Sequence, residues 1–273
     1  MSTLQAIILG IIQGLTEFLP VSSSGHLEIG KALLNVHLEE NLGFTVIVHL
    51  ATVLSTITVF FSDIKNLGTG VLKFKWNEET RYFSKLLLAA VPVIIIGLFF
   101  EDQIESLFAG NQSLTETGTS YNLTFVGIAL LLTAVLLAAT ILIPSGQKKK
   151  IPFVDAIVMG IAQALAVIPG LSRSGSTIAT GLILKNSRED VARFSFLMVL
   201  IPILGASGMK ILEWIELGST GAGIGQLVAG FIAAYVSGVL ACKWMISLVK
   251  KGKLIYFAIY CAAVGILSII LSM

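Results

Sequence analysis

The sequence predicts an all-α polytopic membrane protein, built as an inverted-topology repeat with six transmembrane helices and two re-entrant helical hairpins. Three observations support this fold class: the composition, a duplicated segment and the placement of the basic residues. Of the 273 residues, 55% are hydrophobic and only 12% are charged, and the mean hydropathy is +0.92. A soluble globule of this size needs more polar surface, so the chain belongs in a membrane.

Six apolar runs are long enough to cross the hydrocarbon core, which is about 30 Å thick and takes about 20 helical residues. These runs are residues 42–62, 81–100, 123–143, 191–215, 224–249 and 254–272. We expect each of them to form a transmembrane helix.

Two further apolar runs, residues 4–19 and 153–168, are shorter than a span. Each run breaks at a proline before a turn rich in Ser and Gly, with the sequences LPVSSSGH and IPGLSRSGS, and a second short helical stretch follows. We expect both segments to be re-entrant, entering and leaving the membrane on one side.

Basic residues between the apolar runs indicate the topology, since Lys and Arg collect in cytoplasmic loops. Residues 63–85 contain five Lys or Arg residues, whereas residues 101–122 contain none. The lysines at 148–150 and 250–253 also fall on the inside, provided that the run at 153–168 returns to its own side. The charge pattern therefore favours the re-entrant interpretation.

The duplicated segment explains this arrangement. Residues 6–25 align without a gap on residues 156–175, so each copy is one hairpin followed by three spans. Because three spans carry the chain to the other side of the membrane, the second copy begins there and is inverted relative to the first. We predict one integral-membrane domain, 1–273, with a first repeat at 1–143 and a second at 152–273, whose hairpin tips meet near the bilayer midplane.

The ionisable residues are divided between the two copies. The first copy has Glu17 and His26 where the second has Val167 and Ser176, and Arg173 occurs only in the second. The two copies have specialised, and we expect Glu17, His26 and Arg173 to share one cavity.

Arg173 is a candidate functional residue, because an arginine at membrane depth costs about 2.5 to 3.5 kcal/mol on the insertion scale. Its guanidinium suits bidentate binding of phosphate or carboxylate oxygens, and Ser172, Ser174, Ser176 and Thr177 surround it with hydroxyl groups. Helices that start at such turns also favour anions. The plainer alternative is an ion pair with Glu17 and simple helix capping.

The first copy carries residues that can perform chemistry. Gln13 lies four residues before Glu17, on the same helical face. The Glu17 carboxylate can act as a general base or hold a divalent cation that bridges phosphates. His26 can transfer a proton or attack phosphorus, or it can be a structural hydrogen-bond donor. His49 lies in an apolar run, and we assign it a bond to a neighbouring helix instead of a place in the site.

The segments QGLTEFLPVSSSGH at 13–26 and PGLSRSGST at 169–177 resemble the two signature segments of the bacterial undecaprenyl pyrophosphate phosphatases, the integral-membrane bacitracin-resistance proteins. The resemblance covers essentially the whole chain. It implies hydrolysis of the polyprenyl pyrophosphate lipid to undecaprenyl phosphate and inorganic phosphate, which recycles the carrier for cell-wall synthesis and confers bacitracin resistance. It also implies a multi-pass protein of the bacterial plasma (inner) membrane, with the active site facing the periplasmic, external side.

The family pattern can be carried onto this chain residue by residue. The family has a pair of acidic positions, in which a Glu or Gln is followed, after three intervening residues, by a Glu. These positions fall on Gln13 and Glu17, so this chain has an amide at the first position and a carboxylate only at the second. That departure weakens any mechanism that needs two acids on this helix, such as a fully carboxylate-bound metal. The remaining motif positions fall on Ser22, Ser23, Ser24, Gly25, His26, Pro169, Gly170, Ser172, Arg173 and Ser174.

The resemblance and the residues together give the expected roles. The expected catalytic residues are Glu17, Ser23, His26 and Arg173. The expected substrate-binding residues are Gln13, Ser22, Ser24, Gly25, Ser172, Ser174 and Thr177. Glu17 is also the expected ligand of a divalent cation, Mg²⁺ or Ca²⁺. Ser23 is the preferred nucleophile, although attack by water or by His26 fits the same residues.

The predicted architecture also fits other classes of function. Inverted repeats with broken helices also build secondary transporters, so a polyprenyl-phosphate flippase would share this architecture. An assembly protein would not need charged residues at both turns.

A net charge of +2, with basic residues only in short clusters, gives no basis for nucleic-acid binding. Cys242 and Cys261 lie in apolar stretches as small buried residues. The sequence leaves a homodimer open.

Overall fold

The computed structural model describes residues 1–34, 36, 42–108, 123–144, 146, 150–217 and 223–272. These residues form twelve α-helices and one short 3₁₀-helix, Thr140–Leu142, and contain no β-strand. The helices are α1 Thr3–Phe18, α2 Ser23–Leu33, α3 Leu42–Val59, α4 Phe61–Val71, α5 Glu78–Phe108, α6 Leu123–Ala139, α7 Phe153–Leu165, α8 Arg173–Ile183, α9 Arg188–Met198, α10 Leu200–Leu217, α11 Ile224–Lys250 and α12 Ile255–Leu271.

The described helices are those of a polytopic membrane protein, which confirms the predicted fold class. Four segments are long and apolar enough to cross a membrane: Glu78–Phe100, Leu123–Leu142, Arg188–Met209 and Ile224–Lys250. The pair α3 and α4 gives a fifth span if its two helices are counted together. The prediction of six spans is not confirmed, partly because α12 has only 17 residues.

The run predicted as a straight span over residues 42–62 is bent in the structure. The chain turns by 75° between α3 and α4. Just before this bend, the hydroxyl groups of Ser55, Thr56 and Thr58 donate hydrogen bonds to carbonyl groups four residues earlier. At the bend itself, Phe60 leaves the helical conformation, with φ −101° and ψ 20°, so α3 ends there and α4 begins in a new direction.

Each of the two shorter apolar runs forms a helical hairpin. At the open end of the first, Nε2 of Gln5 in α1 donates to the carbonyl oxygen of Leu34, just beyond α2, at 2.9 Å. At the open end of the second, Nδ2 of Asn186 donates to Oδ2 of Asp155 in α7 at 2.8 Å. Each hairpin therefore begins and ends on one side of the molecule.

The segments predicted to be cytoplasmic lie together at one end of the molecule, called here the basic end. Three ion pairs join them: Lys150 with Glu78, Arg193 with Asp63, and Lys250 with Glu189. This grouping agrees with the topology that the basic residues indicate.

The first hairpin packs against the second half of the chain, through α1 and α11. Gly10 lies against the backbone of Gly230, near the start of α11, and Gly14 lies against Gly238, near its middle. Since α11 reaches the basic end only at Lys250, the first hairpin enters from the opposite end. Its tip stops at about half the depth of α11.

The second hairpin packs against the first half of the chain, through α7 and α5. The ammonium group of Lys85 lies 5.1 Å from the ring centroid of Phe153, at the start of α7. Deeper along the same helices, Gly160 lies against the backbone of Ala89. This hairpin therefore enters from the basic end, and these contacts support the inverted repeat, whose boundaries remain a prediction.

Candidate active site

The two hairpin tips meet at Glu17, whose side chain is 8% exposed. Glu17 lies in the last turn of α1, and the chain turns back through Pro20 to begin α2 at Ser23. Ser22, at this turn, has the left-handed backbone φ of 70°. The turn brings Oγ of Ser23 within 2.7 Å of Oε2 of Glu17, to which it donates a hydrogen bond. Nε2 of Gln13 donates to the same oxygen at 3.0 Å.

The second hairpin supplies the positive charge. Nη2 of Arg173 lies 3.4 Å from Oε1 of Glu17, and the arginine side chain is 31% exposed. Beside this pair, Oγ of Ser174 donates to the carbonyl oxygen of Leu19 at 3.1 Å. The structure thus brings together Glu17, Ser23 and Arg173, which are predicted catalytic residues, with Gln13 and Ser174.

Arg173 is the first residue of α8. Ser172 caps this helix, accepting a hydrogen bond from the amide of Gly175 at 3.1 Å, and its own amide donates to Oγ1 of Thr133 in α6 at 3.1 Å. The positive end of the α8 dipole therefore points toward the junction of the hairpins, which favours an anion there. Thr177 extends this polar surface, since its Oγ1 lies 2.5 Å from Oγ of Ser195 in α9.

A small cavity lies beside the Glu17 and Arg173 pair. Its polar lining residues are Glu17, Thr52, Thr56, Gln163, Arg173, Ser174, Thr177 and Ser195. Its apolar lining residues are Phe18, Val53, Phe196, Val199, Leu200 and Ile203. A polar surface facing an apolar one suits a ligand that has a charged group and a hydrocarbon part.

Four of these polar residues are not among those predicted from the sequence. Thr52, Thr56 and Ser195 lie within apolar helices, where single hydroxyl groups carry no signal that separates a site from helix packing. Gln163 does have a signal in the sequence, since it matches Gln13 in the duplicated segment. Nδ1 of His49, which is predicted to lie outside the site, is 2.8 Å from the carbonyl oxygen of Thr45 in the same helix.

The predicted residues of the first turn, Ser23 included, are not among the residues that line the cavity. Ser22 Oγ lies 3.3 Å from Ser24 Oγ and accepts a hydrogen bond of 3.4 Å from the amide of Gly25. Ser22 is buried, whereas Ser24 is exposed. These residues shape the turn that holds Ser23.

His26 contacts the turn and helix α12 instead of Glu17. Its Nδ1 lies 2.9 Å from the carbonyl oxygen of Ser22, and its Nε2 lies 2.7 Å from the hydroxyl of Tyr260. The two rings stack with centroids 5.5 Å apart. Tyr260 is thus a further residue at the site's edge that no sequence pattern identified.

The fit of a divalent cation can be tested on the donor atoms. Among the described residues, no group of three or more His, Cys, Asp or Glu side chains is placed to hold a metal ion. Glu17 is the carboxylate at the junction, and its Oε1 receives only the long 3.4 Å contact from Arg173. Oε1 of Gln13 is buried and has no hydrogen-bond partner among the described residues. Both are oxygen donors of the kind that Mg²⁺ takes, and Mg²⁺ is usually held by one or two carboxylates together with substrate phosphates.

The fold and the site define a class of protein: a helical integral-membrane protein in which a carboxylate and a guanidinium meet between two helical hairpins. The chain belongs to the family described as bacitracin resistance protein BacA, whose model matches residues 6–267.

Curated relatives match along the full chain. A protein named undecaprenyl-diphosphatase from Bacteroides fragilis is 50% identical over 275 residues, which cover 100% of this chain and 99% of the relative. One of the same name from Parabacteroides distasonis is 50% identical, with 98% of both chains covered. A third, from Methanosphaera stadtmanae, is 38% identical and also covers 98% of both chains.

Proposed function

We propose that this protein is an undecaprenyl-diphosphatase, which hydrolyses undecaprenyl pyrophosphate to undecaprenyl phosphate and inorganic phosphate. This reaction recycles the lipid carrier for cell-wall synthesis and confers resistance to bacitracin. The observation that carries the proposal is the junction at which a hydroxyl, a carboxylate and a guanidinium from two hairpins meet within hydrogen-bonding reach. The full-length identity to proteins of that name supports it.

Binding of the pyrophosphate is assigned to the second hairpin. The guanidinium of Arg173 holds non-bridging oxygens in a bidentate fork, and the first turn of α8 offers its amide groups. Charge that develops on the phosphoryl oxygens is offset by the same groups, since phosphoryl transfer depends mostly on positioning and electrostatics. The apolar wall of the cavity accepts the beginning of the polyprenyl chain.

The chemical step is assigned to the first hairpin. Oγ of Ser23 attacks the terminal phosphorus while its proton moves to Oε2 of Glu17, 2.7 Å away. The new Oγ–P bond replaces the bridging P–O bond, and undecaprenyl phosphate leaves as the proton passes to it or to solvent. Water then attacks the phosphoserine, releases inorganic phosphate and returns a proton to Oγ. Direct attack by water activated by Glu17 is the alternative that uses the same atoms.

His26 supports this step from outside the cavity. Through Nδ1 it fixes the carbonyl of Ser22, the residue that precedes the nucleophile. Proton transfer to a leaving oxygen would require Nε2 to exchange the hydroxyl of Tyr260 for the substrate. Direct attack of His26 on phosphorus would require the ring to move to the other side of the turn.

A divalent cation, Mg²⁺ or Ca²⁺, is assigned to Glu17 and Gln13. Oε1 of Glu17 and Oε1 of Gln13 are the oxygens that would hold it, and the substrate phosphates would complete its oxygen ligands. The ion would offset negative charge on the pyrophosphate. Because Glu17 supplies a single carboxylate, the ion would bind together with the substrate and not before it.

The protein is placed in the bacterial plasma (inner) membrane with its active site open to the periplasmic, external side. Support comes from the basic end, which the positive-inside rule assigns to the cytoplasm, and from the first hairpin, which enters from the opposite end. A homodimer is compatible with this placement and is tested by the mass of the detergent-solubilised protein.

The proposal is tested by phosphate release from a long-chain polyprenyl pyrophosphate, using detergent-purified protein. We expect turnover in the parent and its loss in Glu17→Ala, His26→Ala and Arg173→Ala. A parallel reaction with chelator measures the metal requirement, and Glu189→Gln, an exposed glutamate at the basic end, serves as the control. Folded parent protein that releases no phosphate in the presence of Mg²⁺ or Ca²⁺ would refute the phosphatase function.

A further inference from the structure

Gln163 of α7 is a buried amide with no function in the mechanism above. Its side chain has 0% exposure, and neither Nε2 nor Oε1 has a hydrogen-bond partner among the described residues. It nevertheless lines the cavity that also contains Glu17, Arg173 and Thr177. Buried polar atoms are nearly always hydrogen-bonded in folded proteins, so an amide with both atoms unpaired requires an explanation.

The duplicated segment shows what distinguishes this amide from its counterpart. Gln13 occupies the matching position in the first copy, where its Nε2 donates to Glu17 at 3.0 Å. In the second copy, the residue that matches Glu17 is Val167. The second copy has therefore kept the amide, as Gln163, but has lost the carboxylate that would accept its hydrogen bond. Nε2 of Gln163 is thus available to an acceptor that comes from outside the protein.

The chemistry of the cavity indicates the kind of acceptor. Arg173 contributes a positive charge, and the hydroxyl groups of Thr177 and Ser195 line the same space. Phosphate oxygens are acceptors without donor hydrogens, so they pair with the Nε2 donor of an amide. An amide adds such a hydrogen bond without a further charge, and a hydrogen bond to a charged acceptor is stronger than a neutral one.

We propose that Gln163 is a further substrate-binding residue, which donates a hydrogen bond from Nε2 to a non-bridging oxygen of the substrate's pyrophosphate. The identification of the ligand rests on the proposed phosphatase function. In this arrangement the two glutamines have different tasks: Gln13 holds the carboxylate of Glu17, and Gln163 holds the anion beside Arg173.

The test is Gln163→Leu, which keeps a similar volume and removes both unpaired polar atoms. We expect kcat/KM for polyprenyl pyrophosphate to fall about 10- to 100-fold, the loss typical of one hydrogen bond to a charged group. We expect the unfolding temperature of the ligand-free variant to stay equal to that of the parent or to rise, because an apolar group of the same size no longer buries an unsatisfied amide.

Ser268→Ala is the matched control. Its hydroxyl is buried in α12 and donates to the carbonyl oxygen of Val264 within the same helix, away from the cavity lining. This variant loses a buried polar group as Gln163→Leu does, but we expect its kcat/KM to equal that of the parent within about twofold, as for sites without a substrate contact.

A second readout uses inorganic pyrophosphate as the probe and does not depend on turnover. We expect pyrophosphate to raise the unfolding temperature of the parent and of Ser268→Ala, and to raise that of Gln163→Leu much less at the same concentration. If the parent releases no phosphate but this difference is found, the phosphatase function fails while the anion contact of Gln163 stands.

Two outcomes would overturn the inference. One is a Gln163→Leu variant with the kcat/KM of the parent and the same stabilisation by pyrophosphate, which would show that no hydrogen bond to the anion was lost. The other is a variant whose activity falls only in step with a lowered unfolding temperature in the absence of ligand, which would make Gln163 a structural residue.

Discussion

Ser23 donates a hydrogen bond of 2.7 Å to the carboxylate of Glu17, across the turn that joins α1 and α2. The two residues come from one hairpin, so their geometry is set locally by the turn at Pro20 and Ser22. Arg173 reaches the other oxygen of the same carboxylate from the second hairpin. The carboxylate of Glu17 is thus contacted by residues from both halves of the chain.

Glu17→Gln should retain the size of the side chain and lose the base. A neutral amide cannot take the proton of Ser23, and general-base catalysis is typically worth about 10²- to 10⁴-fold. We therefore expect the rate of phosphate release under saturating substrate to fall by at least about 100-fold. Glu189→Gln, whose side chain is 70% exposed, should keep the parent rate. Equal rates for Glu17→Gln and the parent would exclude Glu17 as the base.

Ser23→Ala should remove the preferred nucleophile without disturbing the core, because Ser23 is only partly buried. We expect turnover to fall by at least about 10³-fold, as when the nucleophile of a covalent mechanism is deleted. The measurement is phosphate release beside Ser84→Ala, in which a hydroxyl that bonds only the carbonyl of Thr80 is lost. Substantial residual turnover in Ser23→Ala would favour direct attack by water.

Arg173→Lys should retain the positive charge and lose the bidentate fork. A lysine is a point charge that cannot bind two oxygens in one plane, so we expect kcat/KM to fall by at least about 10-fold. Arg188→Lys, at the basic end, is the control. Parent turnover in Arg173→Lys would show that the fork is not required for binding the pyrophosphate.

Tyr260→Phe should affect catalysis less than His26→Ala. The phenylalanine keeps the ring stacked on His26 and loses only the 2.7 Å hydrogen bond, whereas the alanine also loses the bond to Ser22. A lost neutral hydrogen bond is worth about 0.5 to 1.5 kcal/mol, so we expect at most about a 10-fold fall in kcat for Tyr260→Phe. A larger effect for Tyr260→Phe than for His26→Ala would contradict the positioning role of His26.

Gly170→Ala should destabilise the second hairpin. Gly170 has a φ of +89°, which side chains rarely adopt, and an added Cβ would lie 2.8 Å from Cα of Val126. A loss of about 1 kcal/mol or more should lower the unfolding temperature in detergent by at least about 2 °C. Gly68→Ala is the matched control, because an added Cβ meets no atom within 4 Å there. An unchanged unfolding temperature for Gly170→Ala would contradict this prediction.

Much of the architecture was predictable because the membrane restricts what the sequence can form. Long apolar runs must be helices in lipid, since every backbone polar group must be satisfied within the segment. The helices α6 and α11 match predicted spans closely, and α5 contains a third predicted span but extends beyond it to Phe108. The bend between α3 and α4 was missed, because Phe60, where the backbone leaves the helix, is an apolar residue that looks like the interior of a span in a hydropathy pattern.

The site was predictable in part for the same kind of reason. Charged residues are rare at membrane depth, so Glu17 and Arg173 stood out from their apolar surroundings, and the repeat related their two segments. His26 carried the same signal, but the structure turns its ring to Tyr260, a contact between residues 234 positions apart that no local pattern contains. Gln163 and Ser195 join the cavity through packing of α7 and α9, which the sequence did not reveal.

The sequence by itself determined that the chain is a helical membrane protein, where its hairpins break, and which ionisable residues they carry. These properties depend on local hydropathy, on prolines and on charge, all of which act within about one helix length. Only the tertiary structure decided which side chains meet at the junction and which buried amide lacks a partner. Such contacts depend on the depth and rotation at which each hairpin packs against the other half of the chain, and helix packing sets both.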